Sequence, residues 1–360
     1  MNTVQRVRRA GLATVAALVI GGSGVAIGAA ATDSSASGTP AAATATQSPA
    51  TPATPGPASY ASVVRQVLPS VVLIRTENGL GSGVVLDRSG NIVTNAHFAG
   101  DATKFQVQVA GDTAPRSARL VGTYPPDDLA VIRADDPSGL QSATFGDSGK
   151  VQAGDVVLAI GNPLGLSGSV TQGIISATDR AVTEPATDGS PAATLPGAIQ
   201  TSAPINPGNS GGALVSASGQ VVGIPTLAAG SPQGGGQAQG IGFAIPSNLA
   251  RDIAAQIIDT GHVTNSHRAA IGAEVATVLG PDGTAGGVGL VAVTSGGGAE
   301  RAGLRAGDVI TAVGGAQTTD TTALSQALAA AKPGDTVTVT ISRDGQDRSV
   351  QVTLGELPGS

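Results

Sequence analysis

The chain has 360 residues, a formal net charge of −6 and no cysteine. The acidic balance leaves no basic surface to neutralise phosphates, so we do not expect nucleic acid as a partner. The lack of cysteine excludes disulfides, thiolate zinc sites and a cysteine nucleophile, so serine or a carboxylate must carry any chemistry. Only 2% of the residues are aromatic. The cores must therefore be built from Val, Ile, Leu and Ala, which favours a mainly β protein wherever the β-branched residues cluster.

Residues 1–31 have the composition of an export segment. Three arginines in MNTVQRVRR precede the apolar run LATVAALVI and a stretch of small residues, as in a signal peptide. The uncharged stretch is also long enough for a membrane anchor, so both alternatives stay open. Residues 32–58 are nearly all Ala, Thr, Pro, Ser and Gly, which predicts a disordered linker or tail. We expect an extracytoplasmic protein, either secreted or anchored to the cell membrane.

Residues 59–261 contain short apolar runs separated by turns, among them SVVLIRT, DVVLAIGNP and GALVSASGQVVGIP. Runs of this length and spacing are typical of a β-barrel or sandwich. Gly90 and Gly219 stand where hairpins need positive φ. Residues 179–196, rich in Ala, Thr, Pro and Gly, are predicted to form a long loop.

A helix is predicted to close this first domain. Ser247 is its predicted N-cap, Gly261 its predicted end, and apolar residues recur every four positions between them. Residues 262–268 are predicted to be a linker in which His262 and His267 are solvated. Residues 269–357 carry further strands and a short helix over 322–331, and are predicted to be a second domain.

The stretch INPGNSGG places Ser210 among glycines. It fits a hairpin turn as well as a backbone that exposes a reactive hydroxyl. A catalytic serine needs a histidine base that a carboxylate orients. His97, after the strand NIVT, is the candidate base, because a histidine at a strand end can project into a cleft. The amides of Gly208, Asn209 and Ser210 could point at one place and form an oxyanion hole.

The carboxylate is expected from the same half of the domain as His97. Asp128 fits best because it opens the strand DLAVIRA directly. The other candidates in that half are Asp101, Asp112, Asp127, Asp135 and Asp136.

The order His97, Asp128, Ser210, within TNAH, DDLAVI and INPGNSGG, resembles the serine peptidases of the HtrA (Deg) family. AIGNPLG, VTQGIISA and GIGFAIPSN also match, and AERAGLRAGDVITAVGG resembles a PDZ domain. The resemblance implies a chymotrypsin-like double β-barrel followed by a PDZ domain. It also implies His97 as general base and then acid, Asp128 as its orienting partner, and Gly208 and Ser210 as oxyanion donors.

The resemblance further implies an endopeptidase of protein quality control that cleaves unfolded or misfolded proteins without metal or cofactor. A small apolar specificity pocket is expected at Ile205, Thr226 and Leu227, with cleavage after Val, Ala or Ile. The amides of Ile271, Gly272 and Ala273 are expected to hold the carboxylate of C-terminal peptides. Family members commonly form trimers through the start of the peptidase domain, so we expect a homotrimer with Tyr60 as a candidate anchor; packing of Tyr60 under the barrel is the alternative. The rival function is a binding module, an inactive peptidase fold that presents a PDZ domain or acts as a holdase.

Overall fold

The computed structural model describes residues 59–77, 79–112, 114–162, 168–184, 193–206, 208–230, 237–280 and 283–359. All of these residues belong to one compact unit. The predicted export segment and linker, residues 1–58, lie outside the described residues. Among the described helices, none has the length and apolar character needed to cross a membrane.

The first half of residues 59–261 is a closed antiparallel barrel of six strands, in the order β1-β2-β3-β6-β5-β4. A helix α1 (Tyr60–Val67) precedes it, and a one-turn helix α2 (Ala96–Ala99) follows its third strand. The six strands are β1 (Val71–Arg75), β2 (Leu80–Val85), β3 (Asn91–Thr94), β4 (Lys104–Val109), β5 (Arg116–Tyr124) and β6 (Leu129–Ala134).

The second half forms another closed barrel, in the order β10-β11-β12-β9-β8-β7. Its strands are β7 (Val156–Gly161), β8 (Ser169–Glu184), β9 (Ala193–Thr201), β10 (Ala213–Ser216), β11 (Val221–Gly230) and β12 (Gln237–Pro246). The mainly β double barrel is therefore confirmed. Gly90 and Gly219 have φ of 83° and 82°, as the predicted hairpins require.

The two barrels share one core. Val84 and Val131 of the first barrel are buried in the same apolar cluster as Leu158 and Val215 of the second, together with Val63 of α1. Each barrel also has a core of its own. Close-packed interiors have low compressibility, so the shared cluster fixes the position of one barrel against the other.

Helix α1 was not apparent from the sequence pattern. The Ser59 side chain caps it by accepting a hydrogen bond from the Ser62 amide, and Val63 and Val67 are buried. Tyr60 is 40% exposed at its first position, which does not support the alternative of packing under the barrel.

The closing helix, α3 (Ser247–Thr260), is present, and Gly261 ends it in the left-handed conformation. The predicted cap is wrong: Ser247 is the first helical residue, Pro246 holds the N-cap position, and no side chain caps the helix. The Ser247 hydroxyl donates instead to the Gly146 carbonyl oxygen at 2.8 Å. This bond ties α3 to the segment between the barrels.

The predicted loop over residues 179–196 is also wrong in large part. Strand β8 continues to Glu184 and β9 begins at Ala193, and the two pair through Val182 with Leu195 and Thr183 with Thr194. Burial of Leu195 in the shared core favours the strand despite the surrounding Ala and Thr residues. Residues 185–192 lie outside the described residues.

The C-terminal region is built on a sheet in the order β14-β15-β16-β18-β19, with β14 at one edge. A two-stranded sheet of β13 and β20 lies where the region begins and ends. The strands are β13 (Ala269–Ala270), β14 (Ala273–Leu279), β15 (Ala285–Val293), β16 (Val309–Val313), β17 (Ala316–Gln317), β18 (Thr336–Arg343), β19 (Gln346–Thr353) and β20 (Gly355–Glu356). Helices α4 (Gly298–Arg301) and α5 (Thr321–Leu328) complete it.

The predicted linker over residues 262–268 packs closely. Val263 is buried in the shared core, and the Gln256 side chain accepts hydrogen bonds from the amides of Thr264 and Asn265. His262 and His267 are exposed, as predicted for solvated side chains.

Candidate active site

His97 lies on α2, directly after β3, rather than at the strand end itself. Its Nδ1 is 3.0 and 2.9 Å from the two carboxylate oxygens of Asp128, and its backbone amide donates to Oδ1 at 2.9 Å. The Asp128 side chain is 2% exposed and that of His97 29%. A buried carboxylate facing Nδ1 favours the tautomer with the proton on that nitrogen, which leaves Nε2 as the basic atom.

Asp128 stands between a 3₁₀ turn and β6 in the left-handed conformation, with φ 52° and ψ 42°. A non-glycine residue adopts this conformation at a cost, so its surroundings must hold it. Its carbonyl oxygen accepts bonds from the Asn95 side chain at 3.2 Å and the Ala96 amide at 3.1 Å. The Thr226 hydroxyl donates to Oδ2 from the second barrel. Asp128 is thus oriented from both barrels.

Ser210 lies in a tight turn between β9 and β10 that only small residues can form. Gly211 has a φ of 77°, and a Cβ there would come within 2.3 Å of the Ser82 carbonyl oxygen. A Cβ on Gly212 would come equally close to the carbonyl oxygen of Ile160. The Ser210 hydroxyl donates to the Thr226 carbonyl oxygen at 3.2 Å. The glycines therefore allow the turn to fit between the two barrels and present Ser210 beside β11.

The same turn narrows the choice of oxyanion donors. Asn209 donates its amide to the Asn206 carbonyl oxygen at 3.1 Å. That bond commits one of the three predicted amides to the turn itself, so the candidate donors are the N–H groups of Gly208 and Ser210. Gly208 has a φ of 124°, which a side chain would oppose.

Comparison with known proteins identifies the families of the two regions. The trypsin-like peptidase domain family matches residues 81–224 and the PDZ domain family residues 263–354. The serine protease PepD of Mycobacterium tuberculosis is 38% identical over 97% of this chain and 78% of its own length. The serine endoprotease DegS of Salmonella typhimurium is 36% identical over 84% of this chain and 88% of its own length.

Among solved structures, the HtrA-type protease AlgW with a decapeptide is 34% identical, with a TM-score of 0.54 over 84% of this chain and 99% of that one. A serine endoprotease from Yersinia pestis is 36% identical with the same TM-score and coverage. The chain belongs to the HtrA-type serine proteases. It is a serine endopeptidase with a PDZ domain.

The three residues predicted for the specificity pocket of this HtrA-type protease differ in their surroundings. Ile205 is 4% exposed and lies in the second barrel's own core, over Gly242. Thr226 is buried, and its hydroxyl donates a hydrogen bond to the Asp128 carboxylate. The sequence did not suggest this contact. Leu227 belongs to β11, and its side chain lies outside the described residues.

The predicted carboxylate-binding loop lies at the start of β14. Ile271 is buried in the PDZ core, and Gly272 has a φ of 78° with a Cβ position only 3.1 Å from Gly297 Cα. The Ile271 and Gly272 carbonyl oxygens accept bonds from the amides of Ala299 and Thr294. These bonds fix the loop's backbone.

A cavity of about 290 Å³ opens beside this loop, between β14 and α5. Its walls are mainly apolar and include Pro196 of the peptidase strand β9. The helix side of the cavity also touches the peptidase region, since the Gln326 side chain donates to the Thr183 hydroxyl at 2.9 Å. Other lining residues are Ile271, Ala273, Val275, Leu324 and Leu328.

A buried ion pair joins the segment before the PDZ domain to the catalytic region. Arg268 Nη1 donates to Asp127 Oδ1 at 3.0 Å and to the Pro126 carbonyl oxygen at 2.5 Å. Asp127 is fully buried and precedes Asp128. This pair could not be predicted from the sequence, because the two residues lie far apart in the chain and both fit ordinary turn or loop positions.

Proposed function

We propose that this HtrA-type protease cleaves unfolded or misfolded proteins outside the cytoplasm with the triad His97, Asp128 and Ser210. The observation that carries the proposal is the contact of His97 Nδ1 with both oxygens of the buried Asp128 carboxylate. It gives a histidine with a fixed ring and a basic Nε2, as serine activation requires. Relatives described as periplasmic, such as DegQ of Escherichia coli, support the location.

In the proposed reaction, the Ser210 oxygen attacks the carbonyl carbon of the scissile peptide while His97 Nε2 takes the hydroxyl proton. The amides of Gly208 and Ser210 stabilise the negative charge on the tetrahedral intermediate. The imidazolium then gives its proton to the leaving amine, and a water molecule hydrolyses the acyl-enzyme by the same steps. Because the Ser210 hydroxyl donates to the Thr226 carbonyl oxygen, it must turn toward His97 before it can attack.

Unfolded chains are the proposed substrates because an extended segment can enter the active site and expose its C-terminus at the same time. Strand β14 is a sheet edge, to which a peptide can add as a further strand. The amides of Ile271, Gly272 and Ala273 are proposed to hold the terminal carboxylate, and the apolar cavity beside them the last side chains. The peptide named with AlgW supports such ligands.

The triad is tested with a fluorophosphonate probe and a peptide substrate. The parent and Ser218→Ala, a control at an exposed hairpin serine, should be labelled, and Ser210→Ala should not. Turnover of Ser210→Ala, His97→Ala and Asp128→Asn should fall by roughly 10⁴. Near-normal turnover in any of them contradicts its role. If saturating peptide still leaves the parent unlabelled, the binding module is the better function.

The preference for unfolded substrates needs a separate measurement. The parent should degrade a chemically unfolded protein much faster than the same protein in its native state. Equal rates on the two forms would remove the quality-control part of the proposal and leave the triad untouched.

The PDZ site is tested by peptide binding to the full chain carrying Ser210→Ala. A peptide with a free C-terminal carboxylate should bind, and its amidated form should not. Leu328→Arg puts a charge into the apolar cavity and should abolish binding, whereas Gln346→Arg, on an exposed strand end outside the cavity lining, should not. In the active chain, the carboxylate peptide should also stimulate hydrolysis. Equal binding by the amidated peptide would show that the loop has been assigned wrongly.

A further inference from the structure

Ser82 lies on β2 of the first barrel, fully buried, and contacts the active-site turn of the second. Its hydroxyl donates to the Gly208 carbonyl oxygen at 2.6 Å and accepts from the Asn162 amide at 2.8 Å. Its backbone amide donates to the Ser210 carbonyl oxygen at 3.2 Å. Its own carbonyl oxygen accepts the Thr94 hydroxyl at 2.7 Å. One buried residue therefore contacts the turn on both sides of Asn209.

The hydroxyl of Ser82 has only one direction in which to donate. A serine hydroxyl has a single proton and two lone pairs. Because the Asn162 amide occupies one lone pair, the proton is directed to the Gly208 carbonyl oxygen. The bond is short and shielded from water, which strengthens it.

Gly208 needs such a restraint. Its φ is 124°, and a glycine has more backbone freedom than other residues because it has no Cβ. Its N–H is one of the two proposed oxyanion donors. A donor stabilises the developing charge only if it already points to the place where the charge forms.

From this geometry we infer that Ser82 is a positioning residue for the oxyanion hole: through the Gly208 carbonyl it holds the turn so that the amides of Gly208 and Ser210 converge. The inference rests on the proposed roles of those two amides. Ser82 touches no substrate, and it acts on the step in which negative charge develops on the carbonyl oxygen. Formation of the ground-state complex does not depend on it.

The test is steady-state kinetics of Ser82→Ala in the full chain. Loss of a whole oxyanion donor costs about 10²–10³ in kcat, so a donor that is only misaligned should cost less, roughly 10- to 100-fold, with KM changed by less than about twofold. A peptidyl trifluoromethyl ketone, which forms a tetrahedral oxyanion on the serine, should lose affinity by about the same factor as kcat/KM. The pH profile should keep its shape, because the His97–Asp128 contact is unchanged.

Ser70→Ala is the matched control. Ser70 is also a buried serine, in the 3₁₀ turn just before β1, and its hydroxyl donates to the backbone carbonyl oxygen of Val67 at 2.7 Å. Loss of this hydrogen bond in Ser70→Ala should lower the unfolding temperature without changing kcat or the affinity for the ketone. Ser82→Cys keeps a weak donor with little change in shape and should lie between parent and Ser82→Ala; it also serves if Ser82→Ala fails to fold.

Several results would overturn the inference. One is parental kcat in a folded Ser82→Ala or Ser82→Cys variant. Another is a fall in kcat with unchanged ketone affinity, which would place the effect at a different step. A rise in KM alone would show that Ser82 shapes substrate binding. Failure of the triad itself is seen separately, as probe labelling that persists in Ser210→Ala.

Discussion

Asp127 should make the protease less stable as the pH rises through the weakly acidic range. The residue is fully buried and precedes Asp128, the aspartate of the proposed triad, and its Oδ2 has no hydrogen-bond partner among the described residues. Burial raises its pKa from 3.8 to about 6, and the nearby Arg268 offsets only part of this effect. The native state therefore holds the proton more tightly than the unfolded chain does.

The sign and size of the effect follow from proton linkage. Between pH 3.8 and 6 the unfolded state has lost the proton while the native state keeps it, so the free energy of unfolding decreases as the pH rises. A pKa difference of about 2 corresponds to about 3 kcal/mol. The free energy of unfolding should fall by roughly 2 kcal/mol between pH 4 and 6, and the whole stabilisation by the bound proton should be absent above pH 7.

The measurement is urea unfolding, followed by circular dichroism, from pH 4 to 7.5 in the full chain carrying Ser210→Ala to prevent self-cleavage. Other carboxylates titrate in the same range, so the informative quantity is the difference between Asp127→Asn and its parent. Asparagine cannot ionise, so the free energy of unfolding of Asp127→Asn, measured relative to that of its parent, should rise by about 2 kcal/mol between pH 4 and 6. Asp135→Asn, at an exposed acid paired with Arg119, should show little such change, since exposed ion pairs contribute little. A difference that is flat or of opposite sign for Asp127→Asn would refute the reasoning.

Two further predictions concern specificity and assembly. A mapped digest of an unfolded protein should show cuts mainly after Val, Ala or Ile, because the family resemblance implies a small apolar specificity pocket with no acid in it. Cuts mainly after basic or large aromatic residues would show that this pocket has been assigned wrongly. Light scattering should show a trimer that Tyr60→Ala weakens, because an exposed aromatic side chain is a suitable interface anchor. If both the parent and Tyr60→Ala are monomers, this role for Tyr60 is ruled out.

The parts of the molecule that local patterns determine could be predicted from the sequence. Gly90 and Gly219 are required by their hairpins whatever surrounds them, and Gly261 ends its helix for the same backbone reason. His97 and Asp128 could be paired because each stands next to a strand of the same barrel. The structure places them in contact, although His97 lies on a short helix.

The errors arise where tertiary contacts override local preference. Serine is a common N-cap residue, but the Ser247 hydroxyl donates its hydrogen bond to the carbonyl oxygen of Gly146, which is distant in the chain. The stretch over residues 179–196 has the composition of a loop, but burial of Leu195 in the shared core stabilises the strand that contains it. Ser82 could not be found at all, because a serine in a strand says nothing about which carbonyl it will meet on the other barrel.

The geometry of the proposed triad depends on the seam between the barrels more than on either barrel alone. His97 and Asp128 come from the first and Ser210 from the second, yet each side is held by a group from the other. The Thr226 hydroxyl reaches across to Asp128, and Ser82 reaches back to the turn that carries Ser210. Since the shared core sets the distance between the barrels, a small shift there would disturb both contacts together. Small shifts of one barrel against the other should therefore weaken both contacts, and with them the proposed triad and oxyanion hole.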